Sequence, residues 1–350
     1  MKNKSTFCSF LVKLTSFLAI ASSFAYLIPP DKFVYLAFIG LLFPWFQIIN
    51  FLFIFFGVSK VSCPIRYNVV AFLVSLFMLN NFLSFDKERD VYGQVNTFSV
   101  MTYNIKTQRV FESNKNERLN PELDSIISVR HPDVVCLQEA VLYQNYSVPK
   151  QINIGGATYY IWHSNKQNII FSKFPIFNAG NIELDHTSNS VIYADVSIND
   201  TPVRVYNCHL QSFRINPSEY KLYDTLQFKS KKQRLQKGKE FLVKMSNGFK
   251  ERAKQSRMVK EHINNANMLT VVCGDFNSTP SSYAYQTIKK GLEDTFMERG
   301  FGYGSSYRRN VIGVRIDYVL HSTNIGANSY ETLPQMSSDH CPVYTTLHVK

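Results

Sequence analysis

Apolar residues crowd into the first 85 positions of this 350-residue chain, and that asymmetry requires two differently built regions. Three runs stand out. Phe10 to Leu27 is broken only by Lys13; Phe33 to Val58 carries Pro44, Trp45, Gln47 and Asn50; Val69 to Phe85 is apolar apart from Ser75, Asn80, Asn81 and Ser84. A helix needs about 20 residues to cross a hydrocarbon core, so the second run is comfortably long and the others lie near the lower limit. A cleaved signal peptide accounts for the first run but not for all three. Helices of a soluble core would show polar faces, which these lack. The expectation is a transmembrane region over 1–85 with three helices, at about 10–27, 33–58 and 69–85, and a linker at 86–95.

The flanking charges give that region a direction. Lys2, Lys4 and Lys13 lie at the N-terminus, and Lys60 and Arg66 lie between the second and third runs. The Pro29–Lys32 loop is neutral, and the Asp86–Asp90 stretch is net negative. The positive-inside rule then predicts a multi-pass protein of the cytoplasmic membrane with its large domain extracytoplasmic. Gln47, Asn50, Asn80 and Asn81 are suited to polar contacts between helices. No chain of ionisable residues suggests transport. The net charge is +12, of which residues 1–95 carry +4, leaving +8 on the remainder. Such a balance suits an anionic partner, whether nucleic acid, a lipid head group or an envelope surface, and equally serves solubility alone.

Six cysteines, at 8, 63, 136, 208, 273 and 341, form no CxxC pair, and three of them sit inside apolar runs. Buried free thiols are expected rather than a zinc site or a disulfide framework.

From Phe98 onward the chain reads as a globular α/β domain. Strands are expected at Phe98–Ile105, Asp133–Glu139, Tyr159–His163, Asn168–Ser172, Ser190–Ile198, Val203–His209, Met268–Cys273, Arg315–His321 and Cys341–Leu347. Asn120 and Pro121 open a helix through Leu123, Ile126, Ile127 and Val129 that ends before His131-Pro132. The basic stretch from Lys221 to Lys260 reads as a helix too polar for a central position. No glycine-rich nucleotide loop and no internal repeat is present, and strict parallel βαβ repetition is absent.

The informative pattern is a set of acidic, amide and imidazole residues where apolar strands end. These are Asn104 in TYNIK, Glu139 in CLQEA, His209 in YNCHLQS, Asp275 and Asn277 in CGDFNSTP, Asp317 in RIDYVL, and Asp339 and His340 in MSSDHCPV. Singly, each fits a turn, a cap or a structural histidine. Together, the carboxylates and amide make an oxygen-rich site for a hard divalent cation, and the histidines add groups that exchange protons near neutral pH.

In this order the motifs TYNI, QE, HL, GDFN, RIDY and SDH resemble the endonuclease/exonuclease/phosphatase superfamily, over about three quarters of the chain. The reading is of a membrane-anchored, bacterial-type member. The resemblance implies a DNase I-like four-layer α/β sandwich over 96–350, preceded by the transmembrane helical region, and a single Mg2+ site that also accepts Mn2+. It implies that Glu139 is the main metal carboxylate, with Asn104 beside it and Asp339 completing the site. Asp275 would orient or deprotonate the attacking water, and Asn277 would donate to a phosphate oxygen. His340, oriented by Asp317, and His209 would share the acid, base and phosphate-binding work. In-line attack of water with inversion at phosphorus follows. Arg252 in RAKQ, and Tyr307, Arg308 and Arg309 ahead of RIDY, are possible substrate contacts; the polar insert Thr107–Asn120 is another. Each reads equally well as solvated surface.

The HL motif resembles the sphingomyelinase, DNase I and 5-phosphatase branches and disfavours an abasic-site repair enzyme. A phosphodiesterase or phosphatase acting on a lipid head group or envelope substrate is expected. The alternatives are an extracytoplasmic nuclease on DNA or RNA, and an inactive membrane-anchored binding module. Membrane lipid is an expected partner of the N-terminal helices. No protein partner is inferred.

Overall fold

Pro44, two residues past the break at Leu42, marks where the second apolar run changes direction. The computed structural model describes residues 2–57, 65–85, 96–112, 118–142, 148–164, 167–184, 187, 189–215, 219, 230–309 and 313–350, with side chains from Thr6 onward. The linker expected at 86–95 and the Lys60 charge lie outside the described residues. Two compact units form: 1–79 with 211–257 and 281–286, and 80–210 with 258–280 and 287–350.

The first unit holds helices α1 (Lys2–Ser23), α2 (Tyr35–Leu41), α3 (Phe43–Gly57) and α4 (Arg66–Leu79). α2 and α3 meet at a bend of 60°. Pro44 lacks the N–H that would continue the hydrogen-bond ladder, so it is tolerated only in the first turn of a new helix. Polar side chains inside the apolar runs cross-link the bundle. Asn50 Nδ2 donates to Asn68 O at 2.9 Å and receives Asn68 Nδ2 at its own Oδ1. Ser23 Oγ donates to Ser75 Oγ at 2.8 Å, and Gln47 Nε2 reaches Ala19 O at 3.4 Å. Residues 231–257 of a long helix, Lys231–Asn265, belong to the same unit. Phe249 on that helix meets Phe38 edge-on at 5.1 Å, and Arg257 clasps Asp31 through two hydrogen bonds of 3.1 and 2.8 Å.

These helices correct the expected placement in the membrane. Among the described residues one helix, with its window at Thr6–Ser23, is long and apolar enough to span a bilayer, or two if the bent α2–α3 pair counts as one. The third expected span shortens to the 14 residues of α4, about 21 Å at 1.5 Å per residue against roughly 30 Å of hydrocarbon. The multi-pass protein with an extracytoplasmic domain is therefore overturned. The thiol reading also needs amendment. Cys136, Cys208, Cys273 and Cys341 are buried and free, whereas Cys8 is disulfide-bonded.

The second unit contains two large sheets. Its strands are β1 (Ser84–Phe85), β2 (Thr97–Asn104), β3 (Val134–Gln138), β4 (Gln151–Ile154), β5 (Ala157–His163), β6 (Ile169–Ser172), β7 (Ile176–Ile182), β8 (Val191–Ile198), β9 (Thr201–His209), β10 (Leu269–Asp275), β11 (Leu292–Asp294), β12 (Phe301–Gly302), β13 (Asp317–Ser322), β14 (Ile325–Thr332) and β15 (Val343–Val349). Helix α5 is Pro121–Arg130, α6 is Lys231–Asn265, α7 is Tyr283–Lys289 and α8 is Thr295–Arg299. The sheet orders are β14-β15-β2-β3-β6-β5-β4 and β11-β13-β10-β9-β8-β7, with a short β1-β12 pair.

Period-2 apolar alternation gives each sheet an inner face. Phe98, Val100, Val134, Cys136 and Ile170 from one sheet meet Ile192, Ala194, Val203, Val205, Val271, Cys273 and Val319 from the other in a single buried cluster. The outer face of the seven-stranded sheet is covered by Leu123, Ile126 and Ile127 of α5. That helix starts as its sequence requires, with Asn120 Oδ1 accepting from Leu123 N at 3.0 Å, and ends at His131 in the left-handed region. On the outer face of the six-stranded sheet, His262 of α6 packs against Tyr193 and Tyr206 and bonds the Tyr206 hydroxyl at 2.8 Å. The result is an α/β sandwich of the DNase I-like class.

Strand direction decides where the polar ends gather. β2 and β3 are parallel, as are β9 and β10, so their C-terminal ends fall together. β13 runs antiparallel to β10, which brings its N-terminal end to the same edge, with Asp317 opposite Asp275. Asp275 is also in register with His209 on β9.

Candidate active site

Gly274 precedes the first of these carboxylates, at φ +131, and a Cβ there would be driven into the Cys208 carbonyl. Only glycine lets β10 lie this close to β9, and that approach sets Asp275 beside Leu210, whose N donates to Asp275 O at 3.0 Å. Asp275 is buried. Its Oδ1 accepts from Asn277 N at 2.7 Å, and its Oδ2 accepts from Asn104 Nδ2 at 3.0 Å and Asn277 Nδ2 at 3.2 Å. Burial, reinforced by Asp317, pushes its carboxyl up to about 7.

Asn104 ends β2 and ties the two sheets together at this edge. Its Nδ2 also donates to Glu139 Oε1 at 3.2 Å, while its Oδ1 accepts from Lys106 N at 2.9 Å. The amide nitrogen therefore faces both carboxylates; holding a cation through Asn104 Oδ1 requires the amide to turn over. Glu139 follows β3 in the left-handed region, at φ +53, which a residue with a long side chain rarely adopts. Asn277 (φ +49), Lys106 (φ +51) and Thr107 (φ +55) share that conformation, so backbone strain clusters around the site.

Two histidines complete the group, in opposite charge states. His340 Nδ1 lies 3.2 and 3.0 Å from the two Asp317 oxygens, and Nε2 is 3.8 Å from Asp275 Oδ2. Burial alone would lower its pKa, yet Asp317 and Asp275 lift it to about 9. His209 is lowered to about 4 by burial, against the pull of Glu139, whose Oε1 is 3.7 Å from Nε2. Among the described residues, neither ring nitrogen of His209 has a hydrogen-bond partner. Asp275, Asp317 and His340 bring ligand atoms within 4.8 Å of one another.

A divalent cation fits this donor set. Glu139 and Asp275 share one amide, Glu139 keeps about a quarter of its side chain exposed, and the ring nitrogens of His209 are buried without a hydrogen bond among the described residues. Hard oxygen donors around an accessible carboxylate suit Mg2+ or Mn2+. Within the Asp275–Asp317–His340 group, the histidine favours its protonated form and lacks a lone pair for a metal. The carboxylates are the better ligands.

The remaining expected residues are placed as follows. Asp339 pairs with Lys106 Nζ at 3.1 Å. Asn277 Nδ2 donates to Leu210 O at 2.9 Å as well as to Asp275. Tyr307 sets its ring 4.9 Å from His340, edge-on. Arg308 is exposed, and its backbone N donates to Asp339 O at 2.8 Å, which zips the 305–309 loop against the SDH segment. Arg309 lies in the same loop, half-buried. Arg252 belongs to the first unit, is 1% exposed, donates to Gln211 O at 2.6 Å and stacks 4.4 Å from the Phe213 ring. The insert at 107–120 is described except for 113–117.

Several supporting residues were not singled out from the sequence. Ser338 Oγ donates to Asn104 O at 2.7 Å and accepts from His340 N at 3.1 Å. Ser306 Oγ accepts from Asp317 N at 3.0 Å. Asn207 Nδ2 donates to Leu137 O and Ile169 O, both at 2.9 Å, and its Oδ1 accepts from Gln138 Nε2 at 2.7 Å. Amides inside apolar strands were the one available signal. A cavity of about 310 Å³ is lined by Trp162, His163, Ser164, Asn181, Ile182, Glu183 and Ser190. It adjoins the site through Ser190, whose carbonyl accepts from His209 N at 2.9 Å.

A two-sheet α/β sandwich with carboxylates and imidazoles gathered at one edge defines a class of metal-dependent phosphoesterases. The chain belongs to the endonuclease/exonuclease/phosphatase family, whose model matches residues 101–340. No curated protein matches it. Among solved structures it is similar to an endonuclease/exonuclease/phosphatase family protein from Bacteroides thetaiotaomicron, at 15% identity and TM-score 0.50, covering 74% of this chain and 100% of that one. A humanized D. rerio TDP2 matches at 15% identity and TM-score 0.49 over 73% and 100% of the two chains. The human Nocturnin catalytic domain matches at 17% and 0.46 over 73% and 96%. Fold and site together make this chain a divalent-metal-dependent hydrolase of phosphate esters.

Proposed function

We propose that the second unit hydrolyses a small phosphodiester or phosphomonoester with Mg2+, for which Mn2+ substitutes. The observation that carries this reading is the single Asn104 amide that holds Glu139 and Asp275 together at the strand edge. Glu139 would hold the ion, joined by Asn104 once its amide turns, with Asp275 beside it. When bound, the ion offsets charge on the phosphoryl oxygens. Asp275, raised towards neutrality by burial, orients the attacking water and accepts its proton. His340, held as a cation by Asp317, donates from Nε2 to a phosphoryl oxygen as charge develops there. His209 stays neutral and offers a ring nitrogen to the phosphate or leaving group. Arg308 is free to meet a substrate phosphate from the exposed loop beside Asp339.

The cavity beside Ser190 accommodates a leaving group of head-group or nucleoside size, with Trp162 offering an aromatic wall. The four-layer form of the sandwich is supported by α5 and α6 on the two outer faces. We also infer that lipid is met by α1, among the described residues the one helix long and apolar enough to span on its own.

The test is turnover by the full chain with Mg2+ against sphingomyelin, phosphoinositides, simple phosphodiesters, plasmid DNA and RNA. Activity is expected to vanish with a chelator and return with Mg2+. Glu139→Gln and His340→Ala are each expected to lower kcat by at least about 100-fold, the scale of general acid–base contributions. Turnover insensitive to chelator or to both substitutions would exclude this site. A preference for nucleic acid would select the nuclease reading.

A further inference from the structure

A second cluster of titratable side chains lies at the β11 edge of the six-stranded sheet. Glu293 on β11 stands directly across from His321 on β13, and Glu298 comes from α8. One ligand atom from each lies within 4.8 Å of the others. His321 is four residues beyond Asp317 on the same strand, about 13 Å away at roughly 3.3 Å per residue. The cluster is therefore separate from the active site.

His321 is the informative member. Its Nδ1 lies 3.0 Å from Ser322 O, and because a carbonyl only accepts, Nδ1 carries a proton and donates it there. That fixes the ring and aims Nε2 into the cluster. The side chain is fully buried, and Nε2 makes no hydrogen bond among the described residues. Nε2 lies 3.4 Å from Glu298 Oε1, and Glu298 is turned this way because its Oε2 accepts from Ala327 N at 3.0 Å. With Nδ1 turned to the carbonyl, Nε2 faces one carboxylate with a second alongside. Lys350 Nζ lies 3.7 Å from Glu293 Oε2 and is half exposed. The space between Nε2 and the two carboxylates calls for a positive charge.

We propose that Glu293, Glu298 and His321 form a second metal site, for a zinc-class divalent ion. One imidazole with two carboxylates suits Zn2+ better than Mg2+, which prefers an all-oxygen shell. A ligating histidine whose other nitrogen donates to a backbone carbonyl is the usual arrangement at metal centres. The free thiols among the described residues, Cys136, Cys208, Cys273 and Cys341, are buried. The ion would pin α8 and β11 to β13.

The experiment uses the full chain, stripped with chelator and then saturated with Mg2+ so that the active site is filled. Zn2+ is added in competition with a chromogenic chelator, and binding and thermal unfolding are both followed. Wild type and Glu139→Gln are expected to take up one Zn2+ and to melt at higher temperature with it. Glu293→Gln/Glu298→Gln is expected to lose at least tenfold in Zn2+ affinity and the thermal shift, while retaining wild-type phosphoesterase activity as proof of folding. Equal Zn2+ binding by wild type and the double variant would overturn the proposal. So would no uptake by wild type, which would assign the charge to a protonated His321 instead.

Discussion

Asn207 occupies a position where an apolar side chain would be expected, in the middle of the inner face two residues before His209. It serves the site by joining β9 to β3 and β6 through Leu137 O, Ile169 O and Gln138. Replacing it with leucine would remove the side-chain donor to two buried carbonyls, each at about 1–3 kcal/mol, and one of three acceptors of Gln138 Nε2. Asn207→Leu is therefore expected to lose about 3 kcal/mol or more in urea unfolding, and to lower kcat at least tenfold because Glu139 and His209 lose their common support. Unfolding within about 1 kcal/mol of wild type would remove this role. The contrast with the reacting residues explains what a sequence discloses. Asn104, Glu139, Asp275, Asp317 and His340 are legible because their residue types carry chemistry at strand ends. Asn207 and Ser338 lie inside the same motifs, yet their partners are chosen by cross-strand and cross-sheet distances that spacing alone does not contain. Arg252 shows the reverse: a cation in a family-like motif whose guanidinium is buried over Phe213.

Elements were legible wherever local chemistry and burial agreed. α5 starts at Asn120-Pro121 and stops at His131 because cap, ring and left-handed residue all act within one turn. The strands bearing the site are found within a few residues of their apolar runs. The N-terminal helices were misjudged because apolarity measures what must avoid water, not whether lipid or protein covers it. Asn50, Asn68 and Ser75 are hydrogen-bonded to neighbouring helices, and α4 stops at 14 residues. Arg315, read only as part of the RIDY strand, proves to be a buried anchor. It donates to Asp294 Oδ2 at 2.8 Å and Asn81 O at 2.7 Å and lies 4.4 Å from the Phe296 ring. Asp294 also caps α8, with its Oδ1 accepting from Phe296 N at 3.0 Å. Removing one partner of a buried ion pair costs about 3–5 kcal/mol. Asp294→Ala is expected to destabilise the chain by that amount in denaturant titration, whereas a loss below about 1 kcal/mol would mean that the guanidinium is satisfied without the carboxylate.

At the scale of the whole molecule, the apolar surface left after folding has to be assigned a surrounding. Phe7, Phe10, Leu14 and Phe17 follow one face of α1 at intervals of three and four residues, and Phe7, Phe10 and Phe17 are each about 60% exposed. A contiguous stripe of this kind marks a surface that meets protein or lipid. The chain's net charge of +12 adds attraction to an anionic bilayer, screened as salt rises. The two contributions separate experimentally. The full chain is expected to float with vesicles containing phosphatidylserine, and flotation should persist at 0.5 M salt if the stripe inserts. Phe7→Ser/Phe10→Ser/Phe17→Ser is expected to reduce high-salt flotation at least tenfold, with phosphoesterase turnover on a soluble diester unchanged. Flotation that disappears in salt for wild type would reduce the contact to surface charge, and equal high-salt flotation by the triple variant would transfer it to another helix. Either result would remove α1 as the lipid contact while leaving the chemistry at the sheet edge intact, because Asn104, Glu139, Asp275 and His340 draw their positions from strands of the second unit alone.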